Sequence, residues 1–117
     1  MKSYDKETFE HLVLLVRKDD KSDREWLLNN NCRELVEFFD AIEGMENSFK
    51  WLLDNNYRQL AATVDGYNGN DKAKLFFFFS GNRELAAFID ACDGSKSALA
   101  YLMKQEHRGW LLVAKEF

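Results

Sequence analysis

The 117-residue chain contains no proline. Proline removes a backbone donor and clashes with the preceding helical turn, so its absence suits a chain that is helical almost throughout. Cysteine is scarce: Cys32 and Cys92 make neither a disulfide framework nor a paired metal-ligand spacing. Histidine is limited to His11 and His107, at opposite ends, with no cysteine or carboxylate at a metal-binding interval. There is no glycine-rich phosphate loop, no G-x-S-x-G elbow and no H-E-x-x-H. No catalytic, metal-binding or cofactor-binding residue is assigned, and an enzyme is not expected.

Two further absences bear on location and partners. Uninterrupted apolar runs such as Leu75 to Phe79 are too short to span a bilayer. The first residues are followed by mixed charge rather than an apolar segment, so no signal peptide is visible and a cytoplasmic location is expected. The formal net charge is −4 and the isoelectric point about 5.2. Nucleic acid needs a basic footprint and is not an expected partner.

What the chain does have is a period of 25 residues, visible as Trp26-Leu27-Leu28, Trp51-Leu52-Leu53, Phe76-Phe77-Phe78 and Tyr101-Leu102-Met103. Seven positions after each aromatic stands Arg33, Arg58, Arg83 or Arg108. Asp40, Asp65 and Asp90 share one register, as do Gly44, Gly69 and Gly94. A fixed period of this size marks a stacked-repeat architecture.

Each period reads as two short helices. A first helix carries the aromatic triplet and opens on a cap such as Asn70 or Ser95; apolar on nearly every side, it is expected to be sandwiched between neighbours. Asparagine-rich turns follow, Asn29-Asn30-Asn31 and Asp54-Asn55-Asn56. Asn31 with Glu34, and Asn56 with Gln59, have capping-box spacing. The second helix then shows Leu35, Phe38, Phe39 and Ile42 on one stripe, repeated as Leu60, Thr63, Val64 and Tyr67, and as Leu85, Phe88, Ile89 and Cys92. The glycines fall where a left-handed helix stop is expected.

The first 25 residues hold 13 charged side chains and read as a divergent, solvated leading unit. Ser22 to Glu25 has capping-box spacing and opens the first clear unit. The last unit, from Tyr101, is partial, and its run Trp110-Leu111-Leu112-Val113 either tucks inward or docks onto something. The expected fold is all-α: one domain of two-helix hairpins, about four and a half units, stacked as a short right-handed solenoid. In this the chain resembles the α-solenoid class of HEAT, armadillo and tetratricopeptide proteins, whose repeats are longer, about 34 to 47 residues. The resemblance is architectural and assigns no functional residue.

The recurrent residues have bland and functional readings. The row Trp26, Trp51, Phe76 and Tyr101 is read as core between hairpins, with an exposed peptide-binding groove as the alternative. The arginine and aspartate rows oppose the helix dipole in every unit, so pairing between neighbouring units, or arginine to a neighbouring turn carbonyl, is expected to offset that penalty. The second unit has a net charge of −3 from Glu34, Glu37, Asp40, Glu43 and Glu46 against Arg33 and Lys50. Glu37, Glu43 and Glu46 are the binding candidates if that face is contiguous and exposed. Cys32, near a helix start, could carry a lowered pKa.

A protein-interaction module is therefore expected, with a protein partner and a monomer or weak homodimer through the last unit. A small acidic inhibitor of one basic partner, and a pocket lined by the repeat aromatics, are the alternatives. Leu60 lies on the buried stripe, so Leu60→Ala should cost about 2 to 5 kcal/mol in a urea melt. An unchanged midpoint would place Leu60 on the surface.

Overall fold

The computed structural model describes residues 3–70, 72–73, 76–77, 82–104 and 107–117. Its local geometry rests on one device, used twice in each of the second and third units and again at Gly94. Asn31 and Asn56 take left-handed φ angles of 61° and 65°. The Cys32 and Tyr57 amides then reach back to the Leu27 and Leu52 carbonyls at 2.9 and 2.8 Å. Gly44, Gly69 and Gly94 do the same at the other turn, with φ of 103°, 94° and 86°. There the amides of Met45, Asn70 and Ser95 bond the carbonyls of Asp40, Asp65 and Asp90 at 3.0, 2.9 and 3.0 Å. These are Schellman closures, which satisfy the last carbonyls of one helix and start the next at once.

The asparagines therefore stop helices rather than start them. The expected capping boxes at Asn31 and Asn56 do not form; Cys32 and Tyr57 hold the cap positions without a side-chain bond. Asn tolerates the left-handed region better than other residues with a side chain, which explains its use here. Ser22 is likewise not the cap of its helix. Asp20, two residues earlier, accepts the Ser22 amide at 3.1 Å and starts the helix at Lys21. Asn70 and Ser95 do cap, accepting the Lys72 and Ala98 amides at 3.0 and 3.3 Å.

Eight helices and no strand result among the described residues. They are α1 (Lys6–Lys18), α2 (Lys21–Asn29), α3 (Arg33–Ile42), α4 (Glu46–Asp54), α5 (Arg58–Tyr67), α6 (Arg83–Cys92), α7 (Lys96–Leu102) and α8 (Arg108–Ala114). Lys72, Ala73, Phe76 and Phe77 are helical as well. Leu75, Phe78 and Phe79 of the apolar run lie outside the described residues.

Helices α1, α3, α5, α6 and α8 form an inner row in which each packs on the next, and α8 packs on α1. An open solenoid would hold its first and last units apart. Here they meet, and the radius of gyration is 13.2 Å, the value of a closed globule of this length, about 13 Å. Helices α2, α4 and α7 lie outside, each across two inner neighbours.

The closure explains both chain ends. The leading unit is not a solvated cap: Leu12 and Leu15 are fully buried beneath its charged outer face. The last helix tucks inward, with Trp110, Leu111 and Val113 buried and Leu112 left 46% exposed. Phe9 stands edge-on to Trp110, ring centres 5.3 Å apart. Arg17 Nε and Glu116 Oε1 pair at 2.8 Å beside the contact. Gly109 allows the approach, because a Cβ there would lie 2.2 Å from the Phe9 ring. Gly109→Val should therefore destabilise the protein by about 1 to 3 kcal/mol. A urea midpoint equal to that of the parent protein would mean that the two ends do not touch.

Candidate functional site

The aromatic row lies at the edge of the core rather than inside it. Trp26, Trp51 and Tyr101 are half-buried and Phe76 is 39% exposed. The fully buried row is the next residue along: Leu27, Leu52, Phe77 and Leu102, each at 0%. An outer helix touches two inner helices, so the side chain at the middle of that contact is sealed and its predecessor lies at the lip. Each half-buried ring finds a flat partner. Trp26 stacks on His11 with ring centres 4.0 Å apart, Trp51 on Tyr57 at 5.7 Å, and Tyr101 on His107 at 4.9 Å.

Among the described residues no ion pair joins the arginine row to the aspartate row. Arg33 pairs within its own helix with Glu37 at 3.4 Å and lies 4.8 Å above the Trp51 ring. Arg58, Arg83 and Arg108 are exposed. Asp40 is held instead by Arg24, through two bonds of 2.8 and 3.0 Å. One unit later the place of Arg24 is taken by Phe49, beside Asp65. Burial pushes the Asp65 carboxyl above its ordinary pKa, with no ion pair to it among the described residues. A different polar contact links neighbouring units: the Asn82 amide donates to Gln59 at 2.9 Å, and Glu84 bonds His107. Both contacts span 23 residues. Tyr57, Asn82 and His107 share one register and Glu34, Gln59 and Glu84 another, which is the signal that could have revealed this ladder.

The acidic residues of the second unit do not form one open face. Glu34 is 2% exposed and accepts the Tyr4 hydroxyl at 2.9 Å. Burial and that carboxylate hold the Tyr4 phenol protonated well above its ordinary range. Glu37 accepts the Ser48 hydroxyl at 3.0 Å. Only Glu43 and Glu46 stand exposed.

The groups with catalytic potential are occupied. His11 Nδ1 bonds Asp23 at 2.8 Å under the Trp26 ring, and His107 is held between Glu84 and Tyr101. Cys32 is buried, and its thiol donates to the Asn30 carbonyl. Burial and the neighbouring Asp93 push the Cys92 thiol up to about 12. Both thiols are thus poor nucleophiles in place. No group of three metal-ligating side chains occurs among the described residues, and no helix there is long and apolar enough to cross a membrane.

An apolar surface groove follows the seam between α1 and α8. Two adjoining hollows of about 430 and 460 Å³ run along it and share Glu10 and Leu112. One end is aromatic, with Tyr4 and Phe9 facing Gly109. The other is aliphatic, with Val13, Leu14 and Leu112. A third hollow of about 200 Å³ lies beside Phe49 and Asp65.

No family model matches the chain, and no curated protein or solved structure is significantly similar to it.

The half-buried Asp65 carboxylate gives a pH test. A raised native pKa means that ionising Asp65 costs stability above that pKa and costs nothing once both states are protonated. Asp65→Asn should raise the thermal midpoint at pH 7, with the gain vanishing as pH falls through the carboxylate range. A lower midpoint at pH 7 would show that the charge is compensated.

Proposed function

We propose that the protein is a non-enzymatic protein-interaction module: a short α-solenoid of 25-residue hairpins bent until its ends meet. The observation that carries this reading is the α1–α8 seam, where the apolar side chains Val13, Leu14 and Leu112 line a surface hollow and Leu112 is 46% exposed. Contiguous exposed apolar surface rimmed by charge is what interaction sites have. The rest of the described chemistry supports the same reading. Every buried side-chain polar atom there has a partner. The histidines and thiols serve the packing between units, and the hollows are surface grooves rather than a reaction chamber with convergent polar groups.

Affinity capture from the source cells, followed by calorimetric titration of each retained protein in purified form, tests the proposal. Saturable binding of at least one purified protein is expected. Capture that yields no protein able to bind in purified form contradicts it.

A further inference from the structure

The inner row has five side-by-side contacts when the closing one between α8 and α1 is included. Three carry an outer helix across both members: α2 on α1 and α3, α4 on α3 and α5, and α7 on α6 and α8. At the α5–α6 contact, Ala73 and Phe77 occupy the corresponding buried positions, at 5% and 0% exposure. The α8–α1 contact has no outer segment among the described residues, and the two hollows lie there.

What the outer segments bury is constant. Each places a short side chain, Asp23, Ser48, Ala73 or Ala98, at 5% to 7% exposure. Four residues later each places a large apolar one, Leu27, Leu52, Phe77 or Leu102, at 0%. The inner helices offer a matching register. Leu12 is fully buried, and Glu37, 25 residues on, bonds Ser48 of the outer helix α4. Leu112 stands in that same register in the last inner helix and is 46% exposed. A position that meets an outer helix elsewhere is bare here.

We infer that the α1–α8 groove docks one amphipathic α-helix of a partner protein, seated as a fifth outer helix. The occupant carries a short side chain, a large apolar side chain four residues later, and acidic flanks. The acidic preference comes from the rim. Lys6, Arg108 and Lys115 have no anionic partner among the described residues; of the two carboxylates on the lining, Glu116 is taken by Arg17 and Glu10 remains. This rim is basic on a chain of net charge −4, which favours an acidic helix and disfavours a basic one. Among the described residues a second copy has no free helix to offer, because α2, α4 and α7 are already seated on their own grooves. Helix-in-groove recognition of this kind is read as anchors at i and i+4.

The probe is a synthetic stapled helix with serine, then Trp-Leu at the third and fourth following positions, flanked by glutamates. Titrated into the isotope-labelled full chain, it should give saturable amide shifts centred on Val13, Leu14 and Leu112. Leu112→Asp should weaken it about tenfold or more by setting a carboxylate in the apolar contact. Arg108→Glu with Lys115→Glu, both exposed, serves as a second variant and should weaken the acidic probe while strengthening a lysine-flanked one. Absent or unsaturable shifts, shifts centred on another face, or affinity unchanged by either variant would overturn the inference, as would self-association that buries Leu112. The inference rests on the interaction-module reading, and the two fail separately. A natural partner that binds the Leu112→Asp protein unchanged overturns the groove and leaves the module standing.

Discussion

Trp110 is the contact on which the closed arrangement depends. Its ring meets Phe88 at 5.2 Å, Phe9 at 5.3 Å, Phe38 at 6.1 Å and Tyr4 at 6.4 Å, in every case edge to face. Those four rings come from the segment before α1 and from α1, α3 and α6. One side chain from the last unit thus touches the first, second and fourth. Edge-to-face pairs add about 0.5 to 1.5 kcal/mol each beyond the area they bury. The earlier units place Leu35, Leu60 and Leu85 in the register of Trp110. The enlargement from leucine to tryptophan in the last unit fills the middle of the inner row, and the row closes around it.

That closure positions everything else on the surface. It brings α1 against α8 through the Phe9–Gly109 approach. It also leaves the one inner contact without an outer helix among the described residues. The apolar character of the seam follows from the repeat itself: inner helices are patterned to be covered on two sides, and at the seam the outward side is uncovered. The proposed interaction surface is in this sense the unfinished edge of a repeat.

Much of the secondary structure was legible in the chain, because period, glycine stops and the inner stripe are local signals. Leu35, Phe38, Phe39 and Ile42 are buried as their spacing required. The lip and the floor of the outer grooves were not separable in sequence, since Trp26 and Leu27 are adjacent and both apolar. Only the angle at which a short helix lies across two others decides between them. Asn31 reads equally as a cap or as a left-handed stop, and the backbone bond from Cys32 to Leu27 selects the stop. The charge rows misled for a related reason. Asp40 and Arg33 recur together, yet Asp40's partner is Arg24, in a register that changes to Phe49 one unit later. A contact kept in one unit and dropped in the next leaves no periodic trace. The seam was invisible because it joins residues about a hundred positions apart, such as Arg17 and Glu116.

The central claim is that the first and last inner helices pack directly against each other. The most direct measurement is a nuclear Overhauser experiment on the full chain, observing Gly109 Hα and the Phe9 ring protons. The closed arrangement predicts strong cross-peaks between them. Their absence, with Gly109 Hα showing contacts only to its own unit, would contradict it.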